Sequence, residues 1–150
     1  GWVNEKIGNL SSPFYHHRRY VNNEVSNNSF FLFQAGTVLS KSSNSDAHAN
    51  FSSNKVILNL PGIYHISING LIKSSSSNNQ FHRLYIDVLP QTGGGWSIYS
   101  YMDTFGNTTF SGNAVIQVGS SSAKIRVGNY SGHTVSIENL QLTISRIGDL

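Results

Sequence analysis

Apolar and polar residues alternate along most of the chain, and the clearest case is the segment 55–72, KVILNLPGIYHISINGLI. Tyr64, Ile66 and Ile68 alternate there with His65, Ser67 and Asn69. A period of two puts an apolar row on one face of a strand and a polar row on the other. Pro61-Gly62 precedes this run. Proline fixes φ and lacks a donor, and the glycine after it is free of steric limits, so the pair predicts a corner between two strands.

The same reading predicts strands elsewhere. In 29–39, Phe31, Phe33 and Ala35 form one apolar face and Phe30, Leu32 and Val38 the other, as in a strand buried on both sides. Leu84, Ile86 and Val88 oppose Arg83, Tyr85 and Asp87 in 81–89. Over 96–102, Trp96, Ile98, Ser100 and Met102 are expected to oppose Ser97, Tyr99 and Tyr101. Phe110, Gly112, Ala114, Ile116 and Val118 make an apolar row with small residues suited to close packing. Ile125 and Val127 point inward from 123–130. In 134–147 a bulge at Glu138-Asn139 is expected to keep Val135 and Ile137 on the same face as Leu140, Leu142 and Ile144. Strands thus recur about every ten residues with no helical period, which predicts an all-β sandwich or barrel. Residues 1–28 show neither period and read as an N-terminal arm or stem, pinned by Trp2, Phe14, Tyr15 and Tyr20.

Composition narrows the function classes. With 150 residues the chain is one domain's worth. Only 11% of residues are charged, so Ser and Asn supply the polar surface, which suits an exposed, exterior protein. The net charge of +3 is scattered, with Arg18-Arg19 as its sole adjacent basic pair. No basic stripe tracks a phosphate backbone, and nucleic acid is not an expected partner. The absence of cysteine excludes disulfides, thiolate zinc sites and a cysteine nucleophile. No apolar run reaches the roughly 20 residues of a membrane helix, so no membrane insertion is expected. The opening Gly1-Trp2-Val3 is not a signal peptide and reads as the start of a processed fragment, the terminal domain of something longer.

Catalytic chemistry finds little support. The carboxylates Glu5, Glu24, Asp46, Asp87, Asp103, Glu138 and Asp149 are mostly isolated. Asp87 and Asp103 alone invite a glycosidase reading, which requires a fixed separation beside a sugar cleft; aspartates flanking turns are the ordinary case. So many serines and six histidines make any Ser-His-Asp set uninformative, and no G-x-S-x-G elbow occurs. His65 and His82 lack a third metal ligand. No enzyme activity, metal or cofactor is expected. Binding has a better case. Arg83, Tyr85, Trp96, Tyr99 and Tyr101 fall on adjacent expected strands or beside the turn 90–95, and exposed aromatics with an arginine build hot spots and sugar-stacking platforms. The alternative for Trp96 is that it seals the end of the sandwich.

Three stretches together carry a family likeness: the apolar segment 30–39, the corner Leu60-Pro61-Gly62-Ile63-Tyr64, and the ending from Asn129-Tyr130-Ser131-Gly132 to Leu142-Thr143-Ile144-Ser145-Arg146-Ile147-Gly148. Over about 29–148 the chain resembles the tumour-necrosis-factor-like and complement-component-1q-like jelly-roll heads, in their phage or bacterial form. The resemblance implies a two-sheet antiparallel jelly-roll sandwich over 29–150 that assembles as a homotrimer. Surplus apolar surface at 30–38 and 110–118 agrees with such a contact, and Phe31, Phe33, His65 and Phe110 are the expected interface residues, His65 being presented three times at a threefold axis. The chain departs from the family in lacking a Gly-X-Y stalk and an acidic cluster for calcium. The implied function is a non-enzymatic fibre or spike head on a virion surface or in the extracellular space, binding a host-surface receptor or glycan. A purely structural trimerisation cap and an extracellular lectin or signalling head are the alternatives.

Overall fold

The computed structural model describes residues 13–20, 22–33, 36–74, 79–89, 95–119 and 122–150. These form eleven strands and one turn of helix: β1 (Phe14–Arg19), β2 (Asn23–Val25), β3 (Thr37–Lys41), α1 (Ser45–His48), β4 (Ala49–Phe51), β5 (Val56–Leu58), β6 (Gly62–Ser74), β7 (Phe81–Leu89), β8 (Ser97–Phe105), β9 (Thr108–Val118), β10 (Ala123–Asn129) and β11 (Val135–Gly148). One sheet has the order β3-β1-β11-β6-β9, with β2 also pairing β11; the other runs β4-β5-β10-β7-β8. All pairings are antiparallel. The chain changes sheet on leaving β3, β5, β6, β8, β9 and β10, which is the jelly-roll path.

Alternation decides what faces inward. Tyr64, Ile66 and Ile68 of β6, Leu84, Ile86 and Val88 of β7, Ile116 and Val118 of β9, Ile125 and Val127 of β10, and Leu140, Leu142 and Ile144 of β11 are all buried between the sheets. The bulge expected at Glu138-Asn139 is present: the β11 register shifts between Glu138 and Gln141. Asn139 takes the left-handed conformation, φ 52°, which asparagine tolerates better than most residues. Ile137 and Leu140 therefore both reach the core. At the Pro61 corner, Gly62 has φ 150°, and a Cβ there would lie 2.4 Å from Arg146 Nε. The Tyr64 hydroxyl donates to Leu60 O at 2.8 Å and so must accept from His48 Nδ1, also at 2.8 Å.

Two sequence expectations are corrected here. Residues 14–19 and 23–25, expected in an irregular arm, are strands: β1 pairs with β11 from Phe14↔Arg146 to Arg19↔Gln141, and β2 continues along the same strand. The inward row of β1 is Phe14 and His16, and the polar second member, packed against the Phe51 ring at 4.8 Å, hides the period. Residues 30–33 and 37–39, expected in one strand, belong instead to different sheets. Phe30 makes an isolated bridge to Gly128, Phe31 N donates to Val127 O and Phe33 N to Ser53 O, and β3 begins only at Thr37.

That arrangement also corrects the interface expectation for three residues. Phe31 and Phe33 are 0% exposed and Phe110 3%, with Phe31 edge-on to Phe110 and Phe33 to Tyr20. The surplus apolar surface is satisfied inside one chain, and these side chains have none left for a second. His65, half-buried, lies on the outer face of the first sheet. Residues 1–12 of the expected arm, Trp2 included, the loop 75–78, Ala35 and the turn 90–94 lie outside the described residues. No described helix is long and apolar enough to cross a membrane.

Candidate functional site

The outer face of the second sheet gathers the aromatic and arginine residues. Cross-strand register sets Arg83 opposite Asp103, Tyr85 opposite Tyr101 and Asp87 opposite Ile98 between β7 and β8. On the other side of β7, Asp87 faces Arg126 and Tyr85 faces Gly128 of β10. The outward residues of three strands thus form one continuous patch.

A bulge shapes its edge. Ile86 pairs with Ser100 but Asp87 with Ile98, so Tyr99 has no partner. One extra residue reverses the inward and outward phase of everything before it. Ile98, expected to point inward with Met102, is 46% exposed while Met102 stays buried. Trp96 likewise lies on the outer face, over Arg126, and not across the end of the sandwich.

The patch encloses a groove of about 460 Å³, lined by Tyr85, Asp87 and Arg126 from β7 and β10, by Trp96, Ile98 and Tyr101 from β8 and its approach, and by Asn28 and Tyr130 from loops. Arg126 is its centre. The guanidinium carbon lies 3.8 Å from the centroid of the Trp96 ring and 4.0 Å from that of Phe30, so two aromatic faces hold it. Its Nε–H donates to Asp87 Oδ2 at 2.8 Å, with the Asp87 side chain 6% exposed. Tyr85 meets Phe30 edge-on and lies across Gly128, where a Cβ would come 2.5 Å from the ring. Burial pushes the Tyr85 hydroxyl pKa up.

Beside the groove, Arg83 gives Nε–H and Nη2–H to the two oxygens of Asp103 at 2.9 and 2.8 Å, and its guanidinium rests 4.5 Å from the Tyr101 ring centroid. Hydrogen bonding to Arg83 holds the Asp103 carboxyl below its usual pKa. The loop that carries Tyr130 is fastened from beneath: Tyr130 N donates to Arg83 O, Arg83 N to Ser131 Oγ, and Asn129 Nδ2 to both Val25 O and His133 O.

Of the five residues expected to bind, Tyr85, Trp96 and Tyr101 line the groove. Arg83 adjoins it, held on Tyr101. Tyr99, at the bulge, is not part of the lining. Sequence reasoning missed Phe30, Arg126, Tyr130 and Asn28. Arg126 was visible as an outward residue between Ile125 and Val127, but only the pairing of β10 with β7 brings it to Asp87.

The glycosidase pair does not form. Asp87 and Asp103 each pair with a separate arginine, and Asp87 lies four positions along β7 from Arg83, the partner of Asp103. At about 3.3 Å per residue that is roughly 13 Å of backbone, beyond the separations of about 5–9.5 Å such chemistry uses. His65 and His82 lie on different sheets. His82 is buried, its Nδ1 3.0 Å from His133 Nε2, and burial lowers its pKa. Among the described residues no three His, Asp or Glu side chains group to hold a metal.

No family model and no curated protein matches the chain by sequence. Solved structures do match. Eiger TNF from S. frugiperda superposes with a TM-score of 0.69 at 10% identity, over 92% of this chain and 95% of that one. The globular domain of zebrafish complement 1qA protein gives 0.58 at 12% identity, over 90% and 94%. The PRD1 vertex protein P5 gives 0.56 at 14% identity, over 90% and 97%. At these identities the likeness concerns the fold, and with the strand order above it establishes the chain as an all-β, two-sheet TNF-like jelly roll.

Proposed function

We propose that the chain is a trimeric, non-enzymatic head domain of a viral or phage fibre or spike, which binds a host-surface ligand in the Arg126 groove at the virion surface or in the extracellular space. The observation that carries this reading is the Arg126 guanidinium held between Trp96 and Phe30 and paired to Asp87 on an open sheet face. Aromatic anchors around an arginine are the usual makings of a binding hot spot. The fold shared with a vertex protein supports the placement on a virion.

The trimer reading rests on the opposite face. Register places Tyr15, Ser145, His65 and Val115 in one row across the first sheet, His17, Thr143, Ser67 and Asn113 in the next, and Arg19, Gln141, Asn69 and Ser111 in a third. Arg19 at the edge is the one Lys, Arg, Asp or Glu in these rows. Tyr15 and Val115 are 40% and 55% exposed. The stretch these three rows cover is nearly free of charge, Glu24, Lys73 and Glu138 lying beyond it on the same face, and such a stretch can meet copies of itself without like-charge repulsion, as closed symmetric assembly requires. Three grooves on one rigid head would then gain avidity from weak single-site affinities.

Binding of the purified chain to host cells, compared with Trp96→Ala, tests the proposal. Expected is a fall in binding of at least about tenfold, about 1.4 kcal/mol, with the oligomeric state unchanged. No binding by the parent chain to any host cell or glycan would leave the structural cap as the function.

A further inference from the structure

The groove is electrically balanced before any ligand enters. Arg126 faces Asp87, and Arg83 uses two N–H groups on both oxygens of Asp103. Lys124, the next outward residue of β10, is not part of the lining. An anionic ligand would have to take an arginine from its carboxylate, and a cationic ligand a carboxylate from its arginine. Either exchange strands a charge, and at Asp87, almost wholly buried, that is unfavourable.

What the groove offers is uncharged hydrogen bonding beside aromatic surface. Beyond the Nε–H given to Asp87, a guanidinium carries four further N–H donors, and a carboxylate accepts at both oxygens. With Nε–H fixed on Asp87 Oδ2 at 2.8 Å, the free Nη–H groups of Arg126 and the remaining acceptor sites of the Asp87 carboxylate lie side by side, and together suit two adjacent hydroxyl groups, one accepting from Arg126 and the other donating to Asp87. The hydroxyls of Tyr85, Tyr101 and Tyr130 both donate and accept. The Trp96 and tyrosine rings supply flat apolar faces for the C–H side of a sugar ring.

We infer that the groove takes a neutral saccharide, a pyranose presenting vicinal hydroxyls to the Asp87–Arg126 pair, and disfavours sialylated or sulfated glycans. The inference rests on the reading of the chain as a ligand-binding head and names the ligand class of that same site.

The test is an oligosaccharide panel in which neutral chains of glucose, galactose, mannose and their N-acetyl amines are each paired with a sialylated or sulfated counterpart. It is read at low and high salt beside host-cell binding. Neutral members should bind, with their acidic counterparts at least about tenfold weaker, and the affinity should change less than about twofold with salt because no net charge is neutralised. Asp87→Asn should weaken neutral binding about tenfold or more, since it removes an acceptor and releases Arg126. Preference for the acidic members, or affinity that collapses in high salt, overturns the inference. If cells are bound in a Trp96-dependent way but no saccharide is, the ligand class is wrong and the head reading stands. If neither cells nor saccharides are bound, both fail.

Discussion

Three histidines are held neutral inside this protein, each by a different neighbourhood. His16 packs on Phe51, and burial, then the charges of Arg18 and Lys41, lower its pKa to about 4. His48 stacks on Phe14 at 4.9 Å and gives its Nδ1–H to Tyr64, and burial followed by the Arg146 charge lowers its pKa. His82 sits against His133, burial acting first and His133 second in the same direction. The unfolded chain takes up protons at these positions below about pH 6.5 whereas the folded chain does not. Stability is therefore full above about pH 6.5 and falls as the pH drops, with the His16 contribution, on the order of 2–3 kcal/mol, exhausted near pH 4. Denaturant unfolding at about pH 7.5 and about pH 5 should show the loss, and His16→Gln should lessen it. A midpoint that does not move between these pH values would contradict the assignment of neutral buried histidines.

At the scale of elements, the groove depends on how closely strands β7 and β10 approach. Gly128 leaves room for the Tyr85 ring. Gly128→Ala forces the flexible ring aside without straining the backbone, so the fold should persist while ligand affinity drops about tenfold. Equal binding by this variant, measured on the same host cells, would remove Tyr85 from the site. Strands of this kind were legible in the sequence where alternation is strict. β6, β7, β9 and β11 carry uninterrupted inward rows, and even the Asn139 bulge follows from the two apolar residues that flank it on one face. β1 was not legible, because His16 occupies a core position and breaks the apolar pattern. Residues 29–33 looked like a strand in need of a partner chain because their partners, Tyr20 and Phe110, are supplied by folding and not by neighbours in sequence. The bulge at Tyr99 left no local trace either, since a phase shift is defined only against the opposite strand. Three of the eight lining residues were therefore visible as Tyr85, Trp96 and Tyr101, and the part that holds Arg126 waited on the β7–β10 pairing.

For the whole molecule, short motifs in the right order were enough to suggest the jelly roll that the solved structures match at 10–14% identity, because the corner at Pro61-Gly62 and the closing stretch mark the two strands of one sheet's central pair, β6 and β11. The second sheet presents a charge-balanced aromatic groove, and the first presents rows of uncharged polar side chains around His65 and Val115. In the trimer proposed above, avidity rests on that first face, since one groove on a monomer would bind weakly and three on a trimer would not. Light scattering on the intact chain and on Val115→Asp tests this directly. The account predicts a native mass three times that of the chain, falling to one chain mass in the variant, whose exposed position leaves the fold intact. A monomeric parent chain at every concentration would contradict it.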